Sequence, residues 1–129
     1  MASQDGHLTG EALLVAVTAA LRELHERHYG RRPGAARSEL VDGELLTCVM
    51  GGVYTEVEKT LIELQRTALV AEVRSSFQHA MRGRLVAAVE RLSGRTVETF
   101  FSTHHVGPDI EVEMFVLGPA PGLTRPIAP

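Results

Sequence analysis

Apolar residues recur at helical spacing near the start of the chain. The positions concerned are Leu13, Leu14, Val17, Leu21 and Leu24. Thr9 is placed to cap a helix at its N-terminus, and Gly30 is placed to end it. The pattern therefore predicts an amphipathic helix over residues 10–29.

Two short segments, 36–41 and 44–50, flank the dipeptide Asp42-Gly43. Asp-Gly readily adopts the positive φ angles of a two-residue turn, so these segments predict an antiparallel hairpin. Residues 45–50 are apolar on both faces of the strand apart from Thr47. Since that pattern is typical of a strand inside a sheet, we expect the second strand to be central.

A capping-box motif opens the next helical segment. In Thr55-Glu56-Val57-Glu58 the hydroxyl and the last carboxylate can each accept a hydrogen bond from a free backbone N–H at a helix start. The apolar stripe of this segment includes Val57, Leu61 and Leu64, and it changes phase near residues 65–67. We expect a bend or a break there, and the end of the second piece at Gly94.

The last third of the chain predicts two strands, over residues 95–102 and 110–117, joined by a loop. In the second strand apolar and acidic side chains alternate. The apolar positions are Ile110, Val112, Met114 and Val116, and the acidic ones are Glu111 and Glu113. Helices packed on one face of the sheet are expected to bury the apolar stripes.

These elements predict an α+β fold in which a four-stranded, mainly antiparallel sheet packs against three helices. A helix precedes each strand pair, which indicates two helix-plus-strand-pair units, while the strand order stays open. We expect one domain over residues 10–117, since a chain of 129 residues can bury one core. Residues 1–9 are expected to form a flexible N-terminus, and the proline-rich residues 118–129 a flexible tail.

Charge and hydropathy narrow the range of functions. The chain has 13 Lys and Arg residues against 16 Asp and Glu, a formal net charge of −3. This balance argues against a general electrostatic surface for nucleic acid. No apolar segment approaches the ~20 residues of a spanning helix, and the N-terminus lacks the layout of a signal peptide. We therefore expect a cytoplasmic protein without nucleic-acid binding or direct membrane insertion.

Five sequence blocks occur in order along the chain. They are Tyr29-Gly30-Arg31-Arg32-Pro33, Tyr54-Thr55-Glu56-Val57-Glu58-Lys59-Thr60-Leu61, Phe77-Gln78-His79-Ala80-Met81, Leu92-Ser93-Gly94-Arg95, and Pro108-Asp109-Ile110-Glu111-Val112-Glu113-Met114-Phe115-Val116-Leu117. Together they resemble the MpsC-like family, a formerly uncharacterised group of bacterial proteins. The resemblance covers residues 11–117.

The resemblance implies a small cytosolic protein and assigns no catalytic residue. Some members carry the name of a sodium-translocating decarboxylase domain, and some are linked to a membrane-potential-generating system for inorganic carbon uptake. Biotin-dependent decarboxylation needs an exposed lysine in a tight turn, whereas the only lysine, Lys59, lies early in a charged helix. The only cysteine, Cys48, lies in an apolar strand and is expected to be buried. We therefore predict no cofactor and no catalytic residue.

An arginine-rich loop is the best candidate for binding. Arg31, Arg32 and Arg37 surround Pro33-Gly34, just after the end of the first helix. Three guanidinium groups on a constrained loop could hold a phosphate, a bicarbonate or an acidic partner surface. We name this loop as the candidate anion- or partner-binding site, although a solvated loop is the simpler interpretation of the same residues.

Histidines provide only weak candidates for a metal site. His104 and His105 lie near Asp109 in the predicted loop, and imidazole with carboxylate could bind a divalent metal. Adjacent residues tend to point apart, however, and no third ligand has convincing spacing. His25 and His28 share one helix face, but near a helix C-terminus imidazolium is also favoured by the helix dipole. No metal site is predicted.

The leading hypothesis is a non-enzymatic accessory or regulatory protein of a bacterial inorganic carbon or ion-coupled membrane system. It would act through contacts with subunits of that system and as a homodimer, which the size and the apolar helix faces favour. Two alternatives stay open. One is a small carboxylate or bicarbonate lyase or hydratase with the arginine-rich loop as an anion clamp, and the other is a sensor of small anions or nucleotides.

Overall fold

The computed structural model describes residues 6–120, which form three helices and one antiparallel four-stranded sheet. In chain order the elements are α1 (Gly10–Tyr29), β1 (Ala35–Val41), β2 (Leu45–Gly51), α2 (Glu56–Glu63), α3 (Thr67–Ser93), β3 (Val97–His105) and β4 (Ile110–Leu117). The predicted α+β fold class is confirmed. Most of the predicted flexible N-terminus and tail lies outside the described residues, but the Leu8 N–H is bonded to the Leu92 carbonyl oxygen at the end of α3.

The first hairpin has a longer turn than predicted. Val41 pairs with Leu45, so the turn has three residues, and the Glu44 N–H donates to the Val41 carbonyl oxygen at 3.0 Å. Asp42 and Gly43 both adopt positive φ angles, as the dipeptide predicts. The predicted turn was therefore one residue too short, because Glu44 belongs to the turn and not to β2.

The predicted break in the long helical segment is confirmed. α2 ends at Glu63 and α3 begins at Thr67. Between them Gln65 has a φ of 61°, a left-handed conformation that cannot continue a helix. The predicted capping box of α2 is present in full: the Glu58 N–H donates to the Thr55 hydroxyl, and the Thr55 N–H donates to the Glu58 carboxylate.

The strand order is β1-β2-β4-β3, and every neighbouring pair is antiparallel. β2 is therefore an interior strand, as its apolar pattern predicts. β3 extends through Thr103 and His104 to His105, so the predicted loop over residues 103–109 is wrong in its first part. The strand continues because its last residues pair with the start of β4, and this pairing leaves a short turn over residues 106–109.

The helices lie on one face of the sheet. The Thr18 hydroxyl of α1 is 2.7 Å from the Ser38 hydroxyl of β1, and Arg82 of α3 donates to the Phe100 carbonyl oxygen of β3. Between the layers lies a cluster of buried apolar side chains. It contains Leu13, Val17, Leu21, Leu46, Cys48, Met50, Val53, Tyr54, Met81, Leu85, Val89, Phe100, Phe115 and Leu117.

β4 turns its acidic face, and not its apolar face, toward the helices, which differs from the prediction. Glu111 and Glu113 point toward the helices with Phe115 and are buried, whereas Val112 and Met114 point to the opposite face. The expectation that the helices bury the apolar stripe of this strand was therefore wrong. For Glu111 the reason is a set of polar partners on α1 and α3, described below, whereas Glu113 follows because it lies on the same face of the strand.

No helix within residues 6–120 combines the length and the apolar character that are needed to cross a bilayer.

Candidate functional site

A buried salt bridge joins α3 to α2. Arg74 is fully buried, and its Nε and Nη2 atoms donate hydrogen bonds to the Glu58 carboxylate at 2.7 and 2.6 Å. Nη2 also donates to the Val53 carbonyl oxygen at 2.7 Å. Burial by itself raises the pKa of Glu58, but the hydrogen bonds from Arg74 and from the Thr55 N–H outweigh it and hold the pKa below its ordinary value. Glu58 is therefore held as a carboxylate.

Two tyrosine rings flank the same guanidinium. The Arg74 Cζ atom lies 4.4 Å from the centre of the Tyr29 ring and 5.4 Å from that of Tyr54. Both contacts are in the range of cation–π interactions. Burial, followed by the nearby charge of Glu111, raises the pKa of the Tyr29 hydroxyl far above its ordinary value. Arg74 is thus surrounded by a carboxylate, a carbonyl oxygen and two neutral aromatic rings.

Glu111 connects the other elements of the fold to this pair. Its Oε2 atom is 2.5 Å from His25 Nε2 on α1, and its Oε1 atom accepts a hydrogen bond from Gln78 Nε2 on α3 at 3.0 Å. Oε1 is also 3.5 Å from Arg74 Nη1. On its other side, Gln78 Oε1 is 3.2 Å from His104 Nδ1 on β3. A continuous line of polar contacts therefore runs from α1 through β4 and α3 to β3.

Glu113 is the least satisfied acidic group of the inner face. Burial, followed by repulsion from Glu111, raises its pKa to about 8. Its Oε2 atom is buried and has no hydrogen-bond partner among the described residues. In the sheet it lies opposite Cys48 of β2 and Ser102 of β3, neither of which carries a compensating charge. At neutral pH this carboxyl group is therefore mostly protonated.

These contacts define what the network does physically. Arg74, Glu58 and Glu111 are at most 4% exposed, and each is bonded to other groups of the protein. A buried polar network whose members satisfy one another fixes the relative position of the elements that carry them. The network therefore locks α1, α2, α3 and β4 into one arrangement.

A mainly apolar cavity of about 220 Å³ lies next to the network. It is lined by His28, Tyr29, Thr55, Val57, Glu58, Leu61, Val70, Val73 and Phe77. Val57 of α2 is 70% exposed and Leu64, just after the helix, is 65% exposed, whereas Leu61 is half-buried. Part of the apolar stripe of this segment is therefore exposed, contrary to expectation, because Glu58 takes the inward position and pairs with Arg74.

The three predicted arginines do not meet at one point. Arg31 Nε donates to the Gly52 carbonyl oxygen at 3.2 Å, and its guanidinium lies 3.8 Å from the Glu56 carboxylate. Arg32 forms an exposed ion pair with Glu26 at 3.2 Å. Two of the three guanidinium groups thus have acidic partners within the chain.

A different group of arginines shares one groove. Between α1 and β1 lies a surface groove of about 380 Å³ that is bordered by Arg22, Arg32 and Arg37. Arg22 Nη2 donates to the Pro33 carbonyl oxygen at 2.8 Å, which holds the loop against α1. Of the three predicted arginines, Arg32 and Arg37 therefore line the same groove, whereas Arg31 does not. Arg22 and the acidic Glu11 also belong to the lining.

The weak metal candidates on β3 are separated by the pleat of the strand. His104 points to the helix side and contacts Gln78, whereas its neighbour His105 is exposed on the opposite face. Asp109 instead accepts hydrogen bonds from the Val53 N–H at 2.7 Å and the Tyr54 N–H at 3.2 Å. Within residues 6–120 no three His, Cys, Asp or Glu side chains are arranged to hold a metal ion.

The remaining candidates also have other partners. His25 bonds to Glu111 in the interior, while His28 Nε2 lies 3.1 Å from an Arg84 nitrogen at the surface. Lys59 pairs with Glu56 on the exposed side of α2. The prediction that Cys48 is buried is confirmed, and burial raises the pKa of its thiol to about 11.

The face of the sheet turned away from the helices is a second candidate site, which we call the open face. Its apolar positions are Val41, Leu45, Val49, Phe101, Ile110, Val112, Met114 and Val116. Phe101 is 52% exposed, and no helix or strand within residues 6–120 covers this face. The interior strands β2 and β4 thus present apolar side chains to solvent.

Sequence reasoning missed the buried network, although one signal for it exists. Arg74 and Gln78 lie four residues apart and share the buried face of α3 with Val70 and Met81. A charged residue in phase with an apolar stripe indicates a buried partner of opposite charge. Nothing comparable marks Glu111, because an alternating strand can turn either face inward.

A family model with the description "Na+-translocating membrane potential-generating system (MpsC)" matches residues 9–118. This range includes all seven elements of the fold. No curated protein and no solved structure matches the chain.

Proposed function

The chain belongs to the MpsC family, and on that basis we propose that it is a non-enzymatic accessory or regulatory protein of a bacterial sodium-coupled or inorganic carbon-coupled membrane system. It acts through protein contacts, with subunits of that system and with a second copy of itself. The family description supports the link to a sodium-translocating, potential-generating system.

The open face is the observation that carries this proposal. A sheet with helices on one side normally shows polar side chains on the other. Here the open face has Val49 and Val112 at its centre, and apolar side chains extend to Phe101 on β3. Contiguous exposed apolar surface of this kind marks a site of protein contact.

The inner face supports the same conclusion. The charged side chains of the interior, Arg74, Glu58 and Glu111, are bonded to one another or to the backbone. They are buried under the helices, where a substrate would have to displace those contacts to reach them. This arrangement favours a structural role for the network over a catalytic one.

Deletion of the gene from its native host tests the function. We expect the sodium-dependent membrane potential and the uptake of inorganic carbon to fall, and the intact chain to restore both. Val112→Glu, at the centre of the open face, should fail to restore them. The matched variant Val15→Glu, on an exposed position of α1, should succeed. Unchanged potential and unchanged carbon uptake in the deletion strain would contradict the proposal.

A second candidate function is the sensing of a small anion. It is supported by the groove between α1 and β1, whose lining includes Arg22, Arg32 and Arg37. Bicarbonate or phosphate bound there would stabilise the fold, and the stabilisation would grow with the logarithm of the anion concentration above its Kd. Thermal unfolding with each anion tests it, with chloride at equal ionic strength as the control. Absence of an anion-specific shift, or a shift that survives Arg37→Gln, would exclude this groove.

A further inference from the structure

The open face has a charge pattern with a definite geometry. In each cross-strand row, one residue comes from each strand, in the order β1, β2, β4, β3. The two middle rows are Glu39, Thr47, Met114, Phe101 and Arg37, Val49, Val112, Thr103. The outer rows are Val41, Leu45, Val116, Thr99 and Ala35, Gly51, Ile110, His105. The acidic Glu39 and the basic Arg37 are thus adjacent, on the edge strand, one in each middle row.

A two-fold axis parallel to the rows makes this pattern complementary to itself. If the axis passes between the two middle rows, each strand lies over the same strand of the second chain. The two strands then run in opposite directions, as aligned packing of two sheets allows. Glu39 of one chain then faces Arg37 of the other, and Arg37 faces Glu39. An axis parallel to the strands would instead place β1 over β3, so both charges would face uncharged side chains.

The sizes of the side chains agree with the same axis. Leu45 faces Gly51 of the second copy, and Phe101 faces Thr103. At the centre Met114 faces Val112. Leu45 and Phe101 thus lie over smaller side chains, while Met114 over Val112 and Val116 over Ile110 are pairs of similar size. Such contacts allow two sheet faces to pack at a spacing of about 10 Å.

We propose that the open face binds a second copy of this chain about that axis, with Arg37 and Glu39 pairing across the edges of the two sheets. The inference rests on the proposed function and deepens it, because it names the partner of the open face and the register of the contact. The ion pairs lie at the rim, where they select the orientation, and the apolar rows supply the burial.

The size of the face indicates the strength of the dimer. Four strands spaced about 4.8 Å apart and seven residues long cover a flat footprint on the order of 450 Å². The accessible area is larger than this flat value, because side chains project from the sheet. Standard interfaces bury roughly 800 Å² on each partner, and transient ones bury less than about 600 Å². A dimer that dissociates on dilution is therefore expected.

Charge reversal in separate chains tests the register. Arg37→Glu makes both facing positions acidic, and Glu39→Arg makes both basic, so each variant alone should dimerise at least about tenfold more weakly than the wild type. An equimolar mixture of the two variants restores both ion pairs, but only between unlike chains. Sedimentation velocity of each variant and of the mixture should show heterodimers at concentrations where each variant alone is monomeric.

Matched variants keep this experiment interpretable. Val112→Glu should abolish the dimer, whereas Val15→Glu should leave it unchanged, and circular dichroism should show the same fold in both. A monomeric wild type, a mixture without heterodimers, or a Val112→Glu dimer of wild-type affinity would each overturn the inference.

The alternative occupant of the open face is the segment 121–129 of the same chain, and the experiment can detect it. A chain that lacks these residues should dimerise like the wild type. Dimerisation that appears only after their removal would assign the open face to that segment and overturn the inference. None of these outcomes concerns the membrane system, so the deletion strain still tests the proposed function separately.

Discussion

Glu111 and Val112 are consecutive residues of β4, and the acidic one points into the protein while the apolar one points away from it. Glu111 is fully buried, with His25 at 2.5 Å and Gln78 at 3.0 Å, and Val112 lies at the centre of the open face. Polar partners on α1 and α3 make the inner orientation of the glutamate favourable. The outward orientation of the valine is favourable when another surface covers it.

Replacement of Arg74 by Met should lower the free energy of unfolding by more than the replacement of an exposed arginine does. The change leaves the Glu58 carboxylate buried without its partner, and the loss of one member of a buried ion pair costs about 3–5 kcal/mol. Urea denaturation of Arg74→Met measures this, with Arg91→Met on the exposed side of α3 as the matched control. The double variant Arg74→Met with Glu58→Gln should recover part of the loss. A loss below about 1 kcal/mol in the single variant would contradict the account of the network.

The pKa of Glu113 predicts a specific pH dependence of stability. The native state raises this pKa from 4.5 to about 8, so between these values the folded chain binds more protons than the unfolded one. Stability contributed by this residue is therefore lost as pH rises through that window. Glu113→Gln should remove the decline and stabilise the protein at pH 7 by about 3 kcal/mol at most.

Thermal and urea unfolding from pH 5 to 9 measure the Glu113 effect, and the slope against pH reports the difference in bound protons. The matched control is Glu72→Gln, on an exposed position of α3. Equal slopes in the wild type and in Glu113→Gln would show that this carboxyl group titrates normally.

Asp109 is expected to act as a backbone acceptor and not as a metal ligand. Its carboxylate holds the Val53 and Tyr54 N–H groups between β2 and α2, so Asp109→Ala should cost about 1–3 kcal/mol. Asp109→Asn keeps one acceptor oxygen and should lose less. Addition of zinc or manganese should not change the melting temperature of the wild type. A metal-dependent shift that disappears in both variants would assign Asp109 to a metal site.

Cys48 should react with alkylating reagents only after unfolding. The residue is buried in β2, and burial raises the pKa of its thiol to about 11, so both access and the thiolate fraction are low in the native state. Mass spectrometry after treatment with iodoacetamide, with and without urea, measures the reaction. Ser75→Cys, on an exposed position of α3, supplies a positive control for labelling of the native protein. Rapid native alkylation at Cys48 would show that β2 opens locally.

Local signals along the chain were sufficient to predict the elements and much of the architecture. The capping box at Thr55, the stop at Gly30 and the phase change before Thr67 each depend on a few neighbouring residues, and the structure has them where they were expected. The interior position of β2 followed from its apolar character on both faces, and the topology confirms it. That pattern also contained the open face, since β2 carries apolar side chains on the side that no helix of residues 6–120 covers.

The buried site depends on contacts that the order of residues does not display. Glu58 and Arg74 are 16 positions apart, and His25 and Glu111 are 86 apart, so their pairing follows from the tertiary packing alone. Alternation in β4 defines two faces but not which of them meets the helices. The choice follows from the polar side chains that the helices bring to the sheet, since His25 of α1 and Gln78 of α3 both bond to Glu111.

Nuclear Overhauser spectroscopy on a mixed sample tests the central claim most directly. One population carries ¹³C-labelled methionine methyl groups and the other ¹³C-labelled valine methyl groups, so cross-peaks between the two labels arise only between chains. The account predicts an intermolecular cross-peak from the Met114 methyl of one chain to the Val112 methyls of the second, because these residues face each other across the two-fold axis. A dimeric sample without that cross-peak, or a sample that stays monomeric at the concentrations of the experiment, would contradict it.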